Sequence, residues 1–183
     1  MPYKRLFIFV EGPYDKKFFT EIVIPKLRNK YDLIKCIVYA EEEPKEIYKQ
    51  YIKSIKSMGE YIFVTDLDEA PCVTSRKNKK QEIYNQKLDD RRIIVVKKEI
   101  ESWIIAGITE QSRRKLRIRG SIPSSTENFK KEQFKSLQPS KFDSEIDFRA
   151  EILKKFSVDQ AKNRNASFKY FFNKFIENNT SPC

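Results

Sequence analysis

Near its start the chain carries five consecutive apolar residues, Leu6 to Val10, that stop on Glu11 and Gly12. An apolar run without polar alternation is the pattern of a strand covered on both faces. Gly12 permits a sharp turn, Pro13 suits the first position of a helix, and Asp15 suits its first turn. A helix is therefore predicted over about 13–29, bent at Pro25. A second strand pattern, LIKCIVYA at 33–40, precedes Ile47, Tyr51, Ile55 and Met58 at helical spacing. Pro44 lies near the start of that helix and Gly59 just past its end. YIFVTDLD at 61–68 and RRIIVVKKE at 91–99 read as a third and a fourth strand. Between them come the polar loop APCVTSRKNKK and a short helix around Ile83 and Leu88. Strand–helix units repeated at this length predict an α/β fold with a mainly parallel sheet of about four strands flanked by helices.

Beyond residue 100 the pattern turns helical. ESWIIAGI begins this region, the basic SRRKLRIR follows, and GSIPSSTENF reads as a loop in which Thr126 caps a short helix. Ile152, Leu153 and Phe156, then Phe168, Phe171, Phe172 and Phe175, recur at helical spacing. Such a stripe is expected to pack as core against the sheet instead of stacking on bases. The terminal ENNTSPC reads as a frayed tail. There is no internal repeat and no composition break. Residues 1–110 are expected to form the α/β core, and 111–183 a basic, aromatic-rich helical extension packed on it within one compact domain.

Composition then narrows the chemistry. The chain contains no histidine, which excludes Ser-His-Asp and Cys-His triads, HExxH zinc sites and histidine general bases. Cys36, Cys72 and Cys183 are odd in number and share no CxxC spacing. Neither a disulfide framework nor a zinc site is expected, and Cys36 reads as a small core residue. Catalysis is left to carboxylates, Lys, Tyr, Cys or a metal held by oxygen. A net charge of +11 favours a polyanionic partner, nucleic acid first. Both signs are abundant among the 34% of residues that are charged, so a solvated charged surface also accounts for it. No apolar run reaches membrane-spanning length, and the N-terminal one is too short for a signal peptide. A cytoplasmic location without a membrane partner is expected.

The carboxylates give the chemistry a place. Glu11 ends the first strand, Asp66 and Asp68 end the third, and Glu99 closes the fourth with Glu101 in the turn after it. Two residues apart on extended backbone, Asp66 and Asp68 would share a face. Parallel strands deliver their carboxyl ends to one edge of the sheet, where open α/β sheets bind ligands. Clustered carboxylates repel one another unless a cation lies between them. With oxygen ligands only, that cation would be Mg2+ or Mn2+, suited to phosphodiester chemistry beside a basic surface. The other reading of the same acids is a set of surface caps on helices.

FVEGPYD followed by FVTDLDEA resembles the Toprim domain of topoisomerases, primases and overcoming-lysogenization-defect (OLD) nucleases. That resemblance implies a Toprim-like Rossmannoid fold. It implies that Glu11 is a metal-linked acid or base, Gly12 the turn, and Asp66 and Asp68 metal ligands. It also implies that Asp15 is the acidic residue following in the OLD-type variant. EIESWIIAG looks like a further acidic motif of small Toprim-like proteins, through Glu101 first and Glu99 second. NASFKYFFNKF is similar to the serine-phenylalanine helix that ends some of them. The likeness spans roughly residues 5–110, and DEAPC stands where many Toprim domains continue with glycine. A topoisomerase would need a further tyrosine-bearing domain and a bacterial-type primase a zinc module. A small stand-alone nuclease therefore matches best. The chain holds no GxxxxGK[ST] loop, so an ATPase of the kind fused in OLD nucleases would come as a separately encoded partner.

Two rivals remain. A haloacid-dehalogenase-type phosphatase also uses a strand-end DxD, with Asp66 as nucleophile, but this leaves Glu11 and Glu101 without a role. A non-catalytic module would bind nucleic acid or a partner through Arg76, Lys77, Lys79, Lys80, Arg113, Arg114, Lys115, Arg117 and Arg119. The same residues would serve a nuclease.

Overall fold

The computed structural model describes residues 3–177 apart from 41, 54, 56–58 and 86, so Met58 and the 178–183 tail lie outside the described residues. Four strands, β1 (Arg5–Val10), β2 (Leu33–Val38), β3 (Glu60–Asp66) and β4 (Ile93–Val96), form one parallel sheet in the order β2-β1-β3-β4. The expected parallel α/β arrangement is observed. β3 is buried along Tyr61–Thr65 and β4 throughout, as their unbroken apolar runs require. β2 alternates between exposed and half-buried positions over Leu33–Cys36 and buries Ile37, as suits an edge strand with one face on the core.

Strand order decides where a site can form. From β1 the chain adds β2 on one side, then passes back beyond β1 to add β3 on the other. The connections leaving β1 and β3 diverge, which opens a crevice at their carboxyl ends.

The flanking helices follow their sequence signals with one departure. Pro13–Phe18 is α-helical, Phe19–Val23 widens into a π turn, and Ile24–Leu27 resumes the α-helix. Pro25 has no N–H to offer the turn before it, and Ile24 N reaches Phe19 O five residues back. The proline thus widens the turn that precedes it. Helical turns at Pro44–Ile47 and Tyr48–Ile52 and the helix Val73–Ile83 follow β2 and β3. The polar segment after the DxD is therefore helical along most of its length, where a loop is expected from composition. One sheet face is packed with aromatic residues: Phe63 stacks on Phe9 at 5.8 Å and on Tyr39 at 4.5 Å, and meets Tyr84 edge-on.

Two strand ends differ from expectation. β3 stops at Asp66, and Leu67–Ala70 forms a turn closed by Ala70 N donating to Leu67 O at 3.1 Å. Asp68 sits in that turn with φ 48°, so the alternation that would align it with Asp66 is lost. β4 is only Ile93–Val96, preceded by a 3-10 turn at Asp90–Arg92. Glu99 is consequently the residue before the helix Ile100–Ala106 and not a strand end.

The chain divides into two compact units, Met1–Val96 and Lys97–Cys183. The second is helical: Ile100–Ala106, Glu110–Leu116, Lys131–Ser136, Glu145–Leu153, Val158–Arg164 and Ala166–Phe172, with a π turn to Glu177. Its core centres on Trp103, stacked on Phe171 and edge-on to Phe168, each at 5.3 Å. Of the aromatic stripe, Phe168, Phe171 and Phe172 are buried, the first two against Trp103, and Phe156 and Phe175 are half-buried. Gly107 is required by close packing, since a Cβ there would lie 2.3 Å from the Phe156 ring. Thr126 does not cap a helix. It is buried, its amide and hydroxyl both donate to Arg164 O, and Lys130 stands before the next helix.

Candidate functional site

Three neighbouring strands bring polar groups to the carboxyl edge of the sheet. Glu11 follows β1, Tyr39 follows β2, and Thr65 and Asp66 end β3. The Glu11 Oε2 accepts from the Asp66 amide (3.3 Å) and the Tyr39 hydroxyl (3.3 Å), with the Thr65 hydroxyl at 3.5 Å. Tyr39 is held there because its ring lies in the aromatic core and its amide continues the sheet ladder to Val10 O. Burial pushes the Tyr39 hydroxyl pKa up, and the negative charge of Glu11 pushes it further. Tyr39 is thereby kept as a neutral donor to Glu11. Lys80 Nζ in turn donates to the Tyr39 oxygen at 3.2 Å. Burial lowers the Lys80 pKa, aided by the positive charge of Arg76, while Glu11, Asp68 and Asp66 oppose the shift.

Arg76 lies one turn into the helix Val73–Ile83 and is buried. Its Nε and Nη2 both donate to Thr65 Oγ1, at 3.1 and 2.9 Å. Nη2 also lies 2.5 Å from Asp68 Oδ2 and 3.9 Å from Glu11 Oε2. The helix that follows β3 thus turns two cations, Arg76 and Lys80, inward on the strand-end acids. Their placement differs from the exposed basic face expected for them: both are buried and engaged.

Among the described residues, no three His, Cys, Asp or Glu side chains are grouped closely enough to hold a metal ion as they are placed. The turn of β3 at Leu67 explains part of this, because it carries Asp68 towards Arg76. The donor set still suits a hard divalent cation. Glu11, Asp66 and Asp68 offer oxygens only, but the Arg76 guanidinium already beside two of them opposes a further cation.

The remaining expected site residues have local roles. Asp15 is buried, and its Oδ2 accepts from the Gly12 amide at 3.2 Å, closing the start of the first helix. Gly12 has extended backbone (φ −137°) that any residue adopts, and a Cβ there would be only 3.4 Å from Asp15 Oδ2. No left-handed turn requires it. Glu99 and Glu101 belong to the second unit. Glu99 Oε2 accepts from the Lys131 amide at 2.6 Å. Glu101 is buried and ion-paired with Arg149, which also reaches Glu145 at 2.5 Å and lies over the Phe134 ring. In this structure Glu101 belongs to a closed ion cluster.

The basic residues divide. Lys77 donates to the backbone and side chain of Asp90. Lys79, Arg114, Lys115, Arg117 and Arg119 are exposed, and Arg113 is half-buried between Glu110 and the Gly120 carbonyl. No helix of the described residues is long and apolar enough to cross a membrane.

Tyr39, Thr65 and Arg149 were not foreseen from the sequence. Tyr39 and Thr65 carried a usable signal, since each is polar at a predicted strand end, the criterion that selected the acids. Arg149 carried none. Comparison with protein-family models, curated proteins and solved structures finds no match for this chain.

Proposed function

We propose that this protein is a divalent-metal-dependent nuclease that hydrolyses or nicks phosphodiester bonds at the crevice between β1 and β3. The observation that carries this reading is the Glu11 carboxylate held on the Asp66 backbone amide at 3.3 Å, which brings the ends of β1 and β3 together where strand connections diverge. The Toprim-like motifs FVEGPYD and FVTDLDEA support it, as does the net charge of +11. Glu11, Asp66 and Asp68 would hold Mg2+ or Mn2+, which when bound neutralises phosphate charge and acidifies a coordinated water. Glu11 is oriented by the Tyr39 hydroxyl and the Asp66 amide and remains one-third exposed (33%), so it can accept a proton from water. The exposed Lys79, Arg114, Lys115, Arg117 and Arg119 suit phosphate contacts.

One observation favours a second reading. Asp68 is already paired with Arg76, as in a module whose acidic site is closed and which only binds nucleic acid or a partner. A single assay separates these. The protein is incubated with single- and double-stranded DNA and RNA in Mg2+, in Mn2+ and in chelator. The nuclease reading expects metal-dependent cleavage that is lost in Glu11→Gln and Asp66→Asn while binding persists. Cleavage that survives chelation rejects the metal, and binding without cleavage under all conditions selects the module. Phosphate release from small phosphomonoesters, with a covalent adduct on Asp66, selects the phosphatase.

A further inference from the structure

We infer that Arg76 is a built-in counter-ion that competes with a divalent cation for Asp68, so that occupancy of the acidic site is set against an internal ion pair. This rests on the reading of Glu11, Asp66 and Asp68 as a metal site. The two partners of the pair differ in freedom. Arg76 is fixed: it is 5% exposed, is carried on a helix, and gives two hydrogen bonds to Thr65 Oγ1. Asp68 is movable: its side chain is 51% exposed and it sits at positive φ in a turn beyond the end of β3. Breaking their contact would therefore move the acid and leave the arginine in place.

Electrostatics give the competition its sign. A guanidinium held 3.9 Å from Glu11 Oε2 repels any dication that uses Glu11, and the repulsion is weakly screened because Arg76 is buried. Asp68 pairs with Arg76 through Oδ2, and an ion drawing on the same carboxylate weakens that pair. With Arg76 in place the site is charge-compensated without metal. Its affinity for Mg2+ or Mn2+ is then lower than the three carboxylates alone would give, and loading depends on the ion concentration.

The test is Mn2+ affinity by titration calorimetry on full-length wild type and Arg76→Gln, with folding checked by circular dichroism. Competition expects Arg76→Gln to bind Mn2+ about tenfold tighter or more, from removal of one nearby positive charge. Equal or weaker binding by the variant, with wild type binding, overturns the inference and leaves the nuclease reading standing. Binding by neither overturns both. Binding by the variant alone supports competition and removes the nuclease reading for the wild type at those ion levels. Where Arg76→Gln does not fold, Mg2+ titration of the wild type is followed by NMR. The Arg76 Nε–H resonance is expected to shift with the same midpoint as the Asp68 amide, and an unmoved Nε–H overturns the inference.

Discussion

Two clusters in this molecule join one arginine to two carboxylates, and they differ in which partners meet water. At the sheet edge Arg76 is buried, while the Asp68 and Glu11 side chains it faces stay open to solvent. In the second unit Arg149 and Glu101 are both enclosed, Glu145 is half-buried beside them, and the Phe134 ring covers the guanidinium. Charges shut away together have given up hydration and depend on one another. A buried cation with open acids keeps its partners exchangeable. The same residue types thus build a strut in one unit and a candidate binding site in the other.

The comparison breaks most sharply at Arg149. Arg149→Ala leaves Glu101 buried without its cation and is expected to cost about 3–5 kcal/mol in urea denaturation. Replacing Arg149 and Glu101 together by Met and Leu is expected to recover most of that loss, because the buried charge of Glu101 is then gone and the half-buried Glu145 can turn to water. Arg76→Gln is expected to cost less, about 1–3 kcal/mol, since its carboxylates can turn to water. A loss at Arg76 equal to that at Arg149 would contradict the distinction drawn here.

Alkaline pH provides the next test. Burial pushes the Tyr31 hydroxyl and the Cys36 thiol each up to about 12, with the charge of Glu60 adding to Tyr31. Burial also raises Tyr39, Tyr61 and Tyr84. In the unfolded chain these groups lose protons near pH 9–10, while in the folded protein they retain them. The stability they contribute is complete below that range and is lost as pH rises towards 12. All five lie in the first unit, so hydrogen exchange is expected to accelerate there first above about pH 10. Earlier opening of the second unit would refute this order. The smallest effect is expected for Asp68→Asn, under about 1 kcal/mol by thermal melting, as for an exposed ion-pair partner.

Much of the first unit could be read before its structure was known. Leu6–Val10 and Tyr61–Val64 advertise buried parallel strands because nothing polar interrupts them, and their ends located Glu11 and Asp66. Less legible were the features set by local backbone geometry. No pattern marked that the chain would turn at Leu67 and carry Asp68 away from the strand direction. Arg76 and Lys80 looked like members of a solvated basic run, because helical spacing places them four apart on one face only once the loop is known to be a helix. Glu101 was singled out by its place just after the fourth strand and by a resemblance, and its burial against Arg149 depends on a residue 48 positions away that no local pattern connects to it.

The central claim is that the acids ending β1 and β3 form a place for a divalent cation. Soaking crystals in Mn2+ and measuring anomalous scattering addresses it directly. The account expects a peak at the carboxyl edge of the sheet, bounded by Glu11 and Asp66, with Asp68 drawn from Arg76 towards it. Manganese bound elsewhere, or no peak beside Glu11 with Arg76 still on Asp68 at saturating ion, would contradict it.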